Sequence, residues 1–163
     1  GVVYDGQPLD GVDLRIVDGE IQVCGPMLLR AYRDGSNPVD DEGWLATGDA
    51  GTLSDGGELS VFGRTGDLII SGGENVWPVA VERVLDSHPL VAEVMIVGRP
   101  HADWGQQVTA VVVPTDSAGP PSLDQLRDHT KQQLPAYCAP REMEVVDTLP
   151  RTPSGKLVRQ TNR

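Results

Sequence analysis

The first part of the chain alternates apolar and polar side chains in short runs separated by turn residues. Segments 12–17 and 20–24 alternate on either side of Asp18-Gly19, which predicts a β-hairpin with a tight turn. Residues 44–64 repeat this pattern around Asp55-Gly56-Gly57 and predict a second hairpin. Residues 1–65 are therefore expected to be β-rich, without a helix.

After Gly66 the pattern changes to helical spacing and continuous apolar runs. Pro78 is placed to begin a helix, and Ser122 to cap a second one. The elements predicted for this second part are a first strand, followed by a helix in 78–88, strands in 91–100 and 106–114, a helix in 123–134 and a strand in 141–150. This order indicates a small α+β unit.

The fold class expected from these patterns is α+β, with two parts joined by a hinge. Residues 1–65 are expected to be the end of a β-rich domain, and residues 66–163 a small mobile α+β lobe. The glycine-containing stretch 63–66 lies where the two patterns meet, so the hinge is predicted there.

The composition limits the possible function classes. The 163 residues carry a net charge of -11, which argues against bulk binding to nucleic acid or anionic membranes. No apolar run is long enough to span a membrane. The two cysteines, Cys24 and Cys138, predict reduced thiols in a cytoplasmic protein.

The charge is uneven along the chain. Residues 1–134 have a net charge of -13, whereas residues 135–163 have a net charge of +2. A solvated basic tail would account for this uneven charge as well as a binding function would. However, the chain has only two lysines, Lys131 and Lys156, so a lysine in this arginine-rich tail suggests a chemical role for Lys156.

Two polar residues in the first part are candidates for nucleotide contacts. Asp49, in the string TGD, could accept hydrogen bonds from a vicinal diol such as ribose, although an Asx turn that closes a hairpin explains it as well. Arg64, in the string GRTGD, offers a fixed fork of donors at the predicted boundary.

Further candidates lie in loops of the second part. Gly72-Gly73 would allow a thin ligand to approach the backbone, or would form a bulge, and Glu74 follows as a polar end. Trp104 lies in a polar loop, where it is either a stacking surface for a purine or a core-capping aromatic. The neighbouring His101 is better explained as a loop residue than as a base.

The last candidates lie near the end of the chain. Tyr137 and Arg141 occupy a proline-braced turn, where Arg141 would suit a phosphate unless the turn is only a rigid connector. Lys156, in RTPSGKLVR, lacks the spacing and the hydroxyl of a Walker A loop. It lies instead on a short turn that contains Pro and Gly, from which its side chain could enter a site on another lobe.

Four strings in this order, GWLATGD, GRTGDLIISGGENVWPVAVE, LPAYCAPRE and PRTPSGKLVR, resemble motifs of the adenylate-forming superfamily. This superfamily includes acyl-CoA synthetases, peptide-synthetase adenylation domains and luciferases. The resemblance covers essentially the whole chain. It implies that the chain is the C-terminal part of a longer ligase, whose large N-terminal domain ends in residues 1–65 and whose C-terminal lobe is residues 66–163.

The resemblance also implies roles for individual residues. Asp49 would hold the ribose hydroxyls of ATP with support from Arg64, and Lys156 would be the catalytic residue that bridges the substrate carboxylate and the α-phosphate. The lobe would rotate about Gly66 and Asp67, although Gly66 stands where the family usually has Asp or Lys. The residues implied for coenzyme A are Gly72, Gly73, Glu74, Trp104, Tyr137 and Arg141.

The implied reaction joins a carboxylic acid to coenzyme A with ATP and Mg²⁺, through an acyl-adenylate. The opening suggests a compact ligase, and SGGENVWP resembles the coenzyme A ligases for aromatic or fatty acids. Among these, an o-succinylbenzoate–CoA ligase of menaquinone synthesis is the specific expectation. Fatty-acid or aryl-acid CoA ligases, a carrier-protein-loading adenylation domain and a non-catalytic nucleotide-binding module are the alternatives. The acyl pocket and the Mg²⁺ site would lie in the N-terminal domain, so this chain alone is expected to be inactive.

Overall fold

The computed structural model describes residues 2–29 and 31–159, so residues 160–163 of the basic tail lie outside it. The chain divides into two compact units, Gly1–Gly66 and Asp67–Arg163. The strands of the first unit are β1 (Val3–Tyr4), β2 (Gln7–Pro8), β3 (Asp13–Val17), β4 (Glu20–Cys24), β5 (Trp44–Leu53) and β6 (Leu59–Arg64). A 3-10 turn, Thr65–Asp67, spans the boundary.

The first unit is an antiparallel sheet in the order β3-β4-β5-β6, with β1 and β2 as a separate small hairpin. Asp18 and Gly19 have φ values of 51° and 82°, as the predicted two-residue turn requires. Val12, Ile21 and Val23 form its buried core. Both predicted hairpins are present, whereas the β1–β2 pair was not predicted, because two-residue strands carry too little alternation to recognise.

The second unit is α+β, as predicted. Its elements are β7 (Ile69–Ser71), β8 (Glu74–Val76), α1 (Pro78–Leu85), β9 (Val91–His101), β10 (Gly105–Pro114), α2 (Leu123–Lys131), a 3-10 turn (Ala136–Cys138) and β11 (Glu142–Val145). Strand β10 pairs with β9 along its length. On its other side it pairs with β11 through residues 109–112 and with β7 at Gly105.

The two helices begin as the sequence predicts. Pro78 begins α1, and Ser122 caps α2 through a reciprocal hydrogen-bond pair with Gln125. However, α2 ends at Lys131 instead of continuing to residue 134. Leu134 lies beyond the helix and still packs against the core, so tertiary packing rather than helical spacing explains its apolar character.

Apolar residues cover both faces of the β9–β10 pair. One face carries Ile96, Val108 and Val112, which pack with the apolar sides of α1 and α2. The other face carries Met95, Val97 and Val111, and the segment after β11 covers it with Leu149 and Leu157. The chain around Lys156 is therefore packed onto this unit by its neighbour Leu157.

Candidate functional site

Lys156 lies on a tight turn that hydrogen bonds close. The Thr152 N–H donates to the Lys156 carbonyl at 2.8 Å, and the Lys156 N–H donates to Thr152 Oγ1 at 3.1 Å. Gly155 has a φ of 84°, and an isolated bridge pairs Arg151 with Leu157. The lysine side chain is exposed, and its ammonium has no ion-pair partner within residues 2–29 and 31–159. A free cation is thus presented on a fixed loop.

Asp49 and Arg64 are paired across neighbouring strands. Asp49 of β5 lies opposite Arg64 of β6, and Arg64 Nε is 3.0 Å from Asp49 Oδ1. Arg64 Nη1 also donates to the Thr47 carbonyl at 2.8 Å. Asp49 lies within a strand, and the hairpin turn is at residues 55–57, so the interpretation of TGD as a hairpin-closing Asx turn was wrong. Both side chains are exposed, so a polar ligand can reach them.

Gly72 and Gly73 form the two-residue turn between β7 and β8, with φ values of 62° and 85°. They form no bulge; left-handed backbone is the reason that both are glycine. The Gly72 N–H donates to the Trp104 carbonyl at 3.0 Å. A Cβ on Gly72 would lie 2.4 Å from Cε3 of Trp104, whereas a Cβ on Gly73 would meet no atom within 4 Å.

Trp104 lies in the turn between β9 and β10 and is partly exposed. The guanidinium carbon of Arg141 is 3.8 Å from the centroid of its ring, a cation–π contact. Arg141 Nε is buried and has no hydrogen-bond partner among the described residues. Trp104 is therefore not a core-capping aromatic, since the residue is 38% exposed and its ring face contacts a guanidinium.

Glu74 and Tyr137 lie next to this cluster along the chain. Strand β8, which contains Glu74, packs near the 3-10 turn that contains Tyr137 and Cys138. Burial and the nearby negative charge of Glu74 raise the pKa of the Cys138 thiol, so this thiol is inert at neutral pH. The side chain of Tyr137 is partly exposed. The predicted coenzyme A residues therefore fall on turns of the second unit, except Glu74, which is the first residue of β8.

The remaining predicted residues have simpler settings. Gly66 is the last residue of the first unit, and a Cβ there would meet no atom within 4 Å. His101 Nδ1 accepts a hydrogen bond from the Asp103 N–H at 3.2 Å, which is a loop-shaping role. Cys24 and Cys138 are both free thiols.

One buried ion cluster was not predicted from the sequence. Arg159 Nη2 donates to both carboxylate oxygens of Glu82, at 2.9 and 2.7 Å, and Arg159 Nη1 donates to Asp67 at 3.1 Å. The available signal was Glu82 itself, a carboxylate within the apolar stripe of α1 that includes Val81 and Leu85. A buried carboxylate requires a partner.

Comparisons with known proteins identify the relationship. The profile of the AMP-binding enzyme C-terminal domain matches residues 80–156. The chain belongs to the adenylate-forming superfamily. It is 42% identical over 164 residues to a probable 2-succinylbenzoate–CoA ligase of Mycobacterium tuberculosis, covering 98% of this chain and 43% of that protein. It is 44% identical over 144 residues to the 2-succinylbenzoate–CoA ligase of Bacillus subtilis, covering 86% and 29%.

Solved structures of similar enzymes resemble this chain in both fold and sequence. The o-succinylbenzoate CoA synthetase (MenE) of Bacillus subtilis, in complex with the acyl-adenylate intermediate OSB-AMP, has a TM-score of 0.85 and 40% identity. The match covers 94% of this chain and 34% of that one. ATP-bound MatB from Rhodopseudomonas palustris has a TM-score of 0.79 at 34% identity, covering 93% and 33%.

The chain thus spans between 29% and 43% of the length of the two ligases named above. No helix within the described part of the chain is long and apolar enough to cross a membrane.

Proposed function

We propose that this chain is the C-terminal part of a cytoplasmic, ATP-dependent acid–CoA ligase whose acid is 2-succinylbenzoate. The enzyme would join the acid to AMP with release of pyrophosphate, and would then transfer the acyl group to the thiol of coenzyme A. Similarity to 2-succinylbenzoate–CoA ligases over nearly the whole chain supports the substrate. Residues of the first unit are suited to hold the nucleotide, and residues of the second unit are suited to serve both halves of the reaction.

The observation that carries the proposal is the exposed side chain of Lys156 on its closed turn, where its ammonium has no ion-pair partner among the described residues. In the first half-reaction, negative charge develops on the α-phosphate while the carboxylate attacks. A fixed cation that donates hydrogen bonds to both groups stabilises that charge, and removing one such stabiliser typically costs about 100- to 1,000-fold in rate. We assign this role to Lys156.

The Asp49–Arg64 pair would hold the nucleotide. The Asp49 carboxylate can accept hydrogen bonds from both ribose hydroxyls, while Arg64 fixes the carboxylate through the 3.0 Å contact and is itself held by the Thr47 carbonyl. Because both side chains are more than a third exposed, their pairing contributes little to stability and is better explained by ligand binding.

The cluster of Trp104 and Arg141 would meet the nucleotide end of coenzyme A. The guanidinium of Arg141 stacks on the exposed Trp104 ring, and its Nε has no hydrogen-bond partner among the described residues, which suits a phosphate. The Gly72-Gly73 turn and Glu74 would line the path of the pantetheine arm, because a turn without Cβ atoms allows close approach. Tyr137 would flank the same path.

Movement about Gly66 and Asp67 would bring Lys156 to the substrates in the first half-reaction and the proposed coenzyme A residues in the second. The boundary between the compact units, which falls between these two residues, supports a hinge there. No group of His, Cys, Asp and Glu side chains that could hold a metal ion occurs among the described residues. We therefore assign no step to a metal ion bound by this chain.

The test uses the full-length enzyme that carries this chain, with Lys156→Ala. Adenylate formation is measured by pyrophosphate exchange with 2-succinylbenzoate, and thioester formation by mixing pre-made acyl-adenylate with coenzyme A. We expect adenylation to fall by about 100-fold or more while the thioester step is retained. Equal loss of both steps, or no loss, would refute the role of Lys156. Activity only with other acids, or only with a carrier protein as acceptor, would refute the assigned substrate or acceptor.

A further inference from the structure

Arg159 connects the lysine-bearing turn to the beginning of the second unit. It lies three residues after Lys156, and its guanidinium bridges Glu82 on α1 and Asp67, the first residue of that unit. The side chains of Arg159 and Glu82 are 19% and 12% exposed, so this is a largely buried cluster. The lysine turn is therefore anchored close to the proposed hinge.

The carboxylate that receives Arg159 is itself fixed. Glu82 Oε1 accepts the Ile96 N–H of β9 at 2.8 Å, which ties α1 to the sheet at the same atom that accepts one bond from Arg159. On the other side of the turn, Leu157 packs against the apolar face of the sheet. The segment after Lys156 thus has both a polar and an apolar anchor.

This cluster is poorly explained as a source of stability. A buried ion pair seldom stabilises a fold more than well-packed apolar side chains would, because both charges lose their hydration. Arg159 Nε is also buried without an acceptor in the described part of the chain, which is a further cost. What the cluster provides is a defined position, since the two Nη atoms of one planar guanidinium make three hydrogen bonds to two carboxylates.

We propose that Arg159 is a positioning residue that fixes the Lys156 turn relative to Asp67, so that Lys156 moves with the lobe when it rotates about Gly66. This inference rests on the proposed function, because it assigns Arg159 a role only in the half-reaction that uses Lys156. Asp67, which the sequence suggested as part of the hinge, becomes the point at which the lobe holds the turn.

The test compares variants of the full-length enzyme in both half-reactions. Arg159→Gln is expected to lower the adenylation rate about 10- to 100-fold, while thioester formation from pre-made acyl-adenylate stays within about twofold. Arg159→Lys keeps the charge but has a single nitrogen, so it cannot reproduce the planar guanidinium that bridges Glu82 through Nη2 and Asp67 through Nη1; it should restore adenylation only partly. Lys131→Gln removes an equal charge from a surface pair with Asp128 and serves as the control.

A double variant separates positioning from a general structural role. If Arg159 acts through Lys156, adding Arg159→Gln to Lys156→Ala should lower the residual adenylation less than threefold further. Asp67→Asn, which removes only one of the two carboxylates, should give a smaller adenylation defect with an unchanged unfolding midpoint. It also keeps the test valid if Arg159→Gln does not fold.

Three results would overturn the inference: equal loss of both half-reactions in Arg159→Gln and Asp67→Asn, a full additional loss in the double variant, or adenylation unaffected by any of these changes. If the wild-type enzyme adenylates its acid and Lys156→Ala abolishes this, such a result overturns only the role of Arg159. If the wild-type enzyme forms no adenylate, the proposed function fails and this inference fails with it.

Discussion

The guanidinium of Arg141 lies 3.8 Å from the centre of the Trp104 ring, and Gly72 lies against the same indole. Three loops that are distant in sequence therefore build one surface. Each loop can be altered separately, which makes the proposed coenzyme A contact directly testable.

Trp104→Ala should weaken coenzyme A binding without affecting adenylation. The change removes the surface on which Arg141 rests, and stacking contacts of this kind contribute about 1–3 kcal/mol. We expect the KM for coenzyme A to rise about tenfold or more in steady-state thioester assays, with pyrophosphate exchange unchanged. A carrier-protein-loading enzyme would instead be indifferent to this substitution.

Gly72→Ala should impair the thioester step much more than Gly73→Ala. Both positions have left-handed backbone, so an added Cβ causes comparable strain in each. Only at Gly72 would the Cβ collide with Trp104, at 2.4 Å. The comparison therefore isolates displacement of the indole, which can be followed by tryptophan fluorescence together with the KM for coenzyme A. Equal effects of the two changes would contradict the proposed role of the indole.

Asp49→Ala should raise the KM for ATP without destabilising the protein. Loss of charge-assisted hydrogen bonds to the ribose is worth about 1.5–3 kcal/mol, or roughly 10- to 150-fold in affinity. The pair with Arg64 is exposed, so the free energy of unfolding should change by less than about 1 kcal/mol. ATP titration and urea unfolding measure the two effects, and Asp55→Ala in the hairpin turn is the control. An unchanged KM for ATP would rule out the ribose contact.

His88 should make the second unit less stable in mild acid. Its side chain is buried against His129 of α2, with 5.1 Å between ring centroids, and its Nδ1 accepts the Leu90 N–H at 3.2 Å. Burial, followed by repulsion from His129, lowers the pKa of His88 below its ordinary value of 6.5. The unfolded chain therefore takes up the proton first as the pH falls. The stability is fully present above pH 6.5 and is lost as the pH falls from that value through the lower pKa of folded His88.

Urea unfolding of this chain between pH 8 and 5, followed by circular dichroism, measures the effect. The decline in stability below pH 6.5 should be weaker in His88→Gln and unchanged in His101→Gln, which alters a histidine at the end of β9. An identical pH dependence in all three proteins would show that His88 is not responsible.

Gly66 should tolerate a side chain but not a locked backbone. A Cβ there meets nothing within 4 Å, so Gly66→Ala should leave the unfolding midpoint unchanged or slightly raised. Gly66→Pro restricts φ and should therefore favour one position of the lobe over the other. The thioester rate and the adenylation rate should then fall by different factors. Equal rates in the alanine and proline variants would place the pivot elsewhere.

The sequence predicted the elements of this fold well where local patterns decide the structure. The Asp18-Gly19 turn and the Ser122 cap are local features, and both occur as predicted. The end of α2 was wrong because Leu134 is apolar through contacts with the core, which local spacing does not reveal. The candidate residues were chosen from their chemistry and order along the chain, and their roles stay predictions.

What the sequence could not supply was the pairing of these residues in space. Arg159 was counted only as part of a basic tail, and Glu82 as part of a helix, although they are 77 positions apart and share two hydrogen bonds. The stacking of Arg141 on Trp104 likewise depends on how β9, β10 and the turn before β11 meet. Such contacts arise from tertiary structure and leave no periodic signal.

The closed turn around Lys156 has a consequence for effective concentration. A lysine on a frayed chain end would sample many positions, and each catalytic cycle would have to restrict that freedom again. Because Thr152, Arg151 and Leu157 already confine the turn, most of that conformational entropy is lost during folding. In the proposed reaction, the ammonium would then reach its substrate with a local concentration that the lobe, and not the tail, determines.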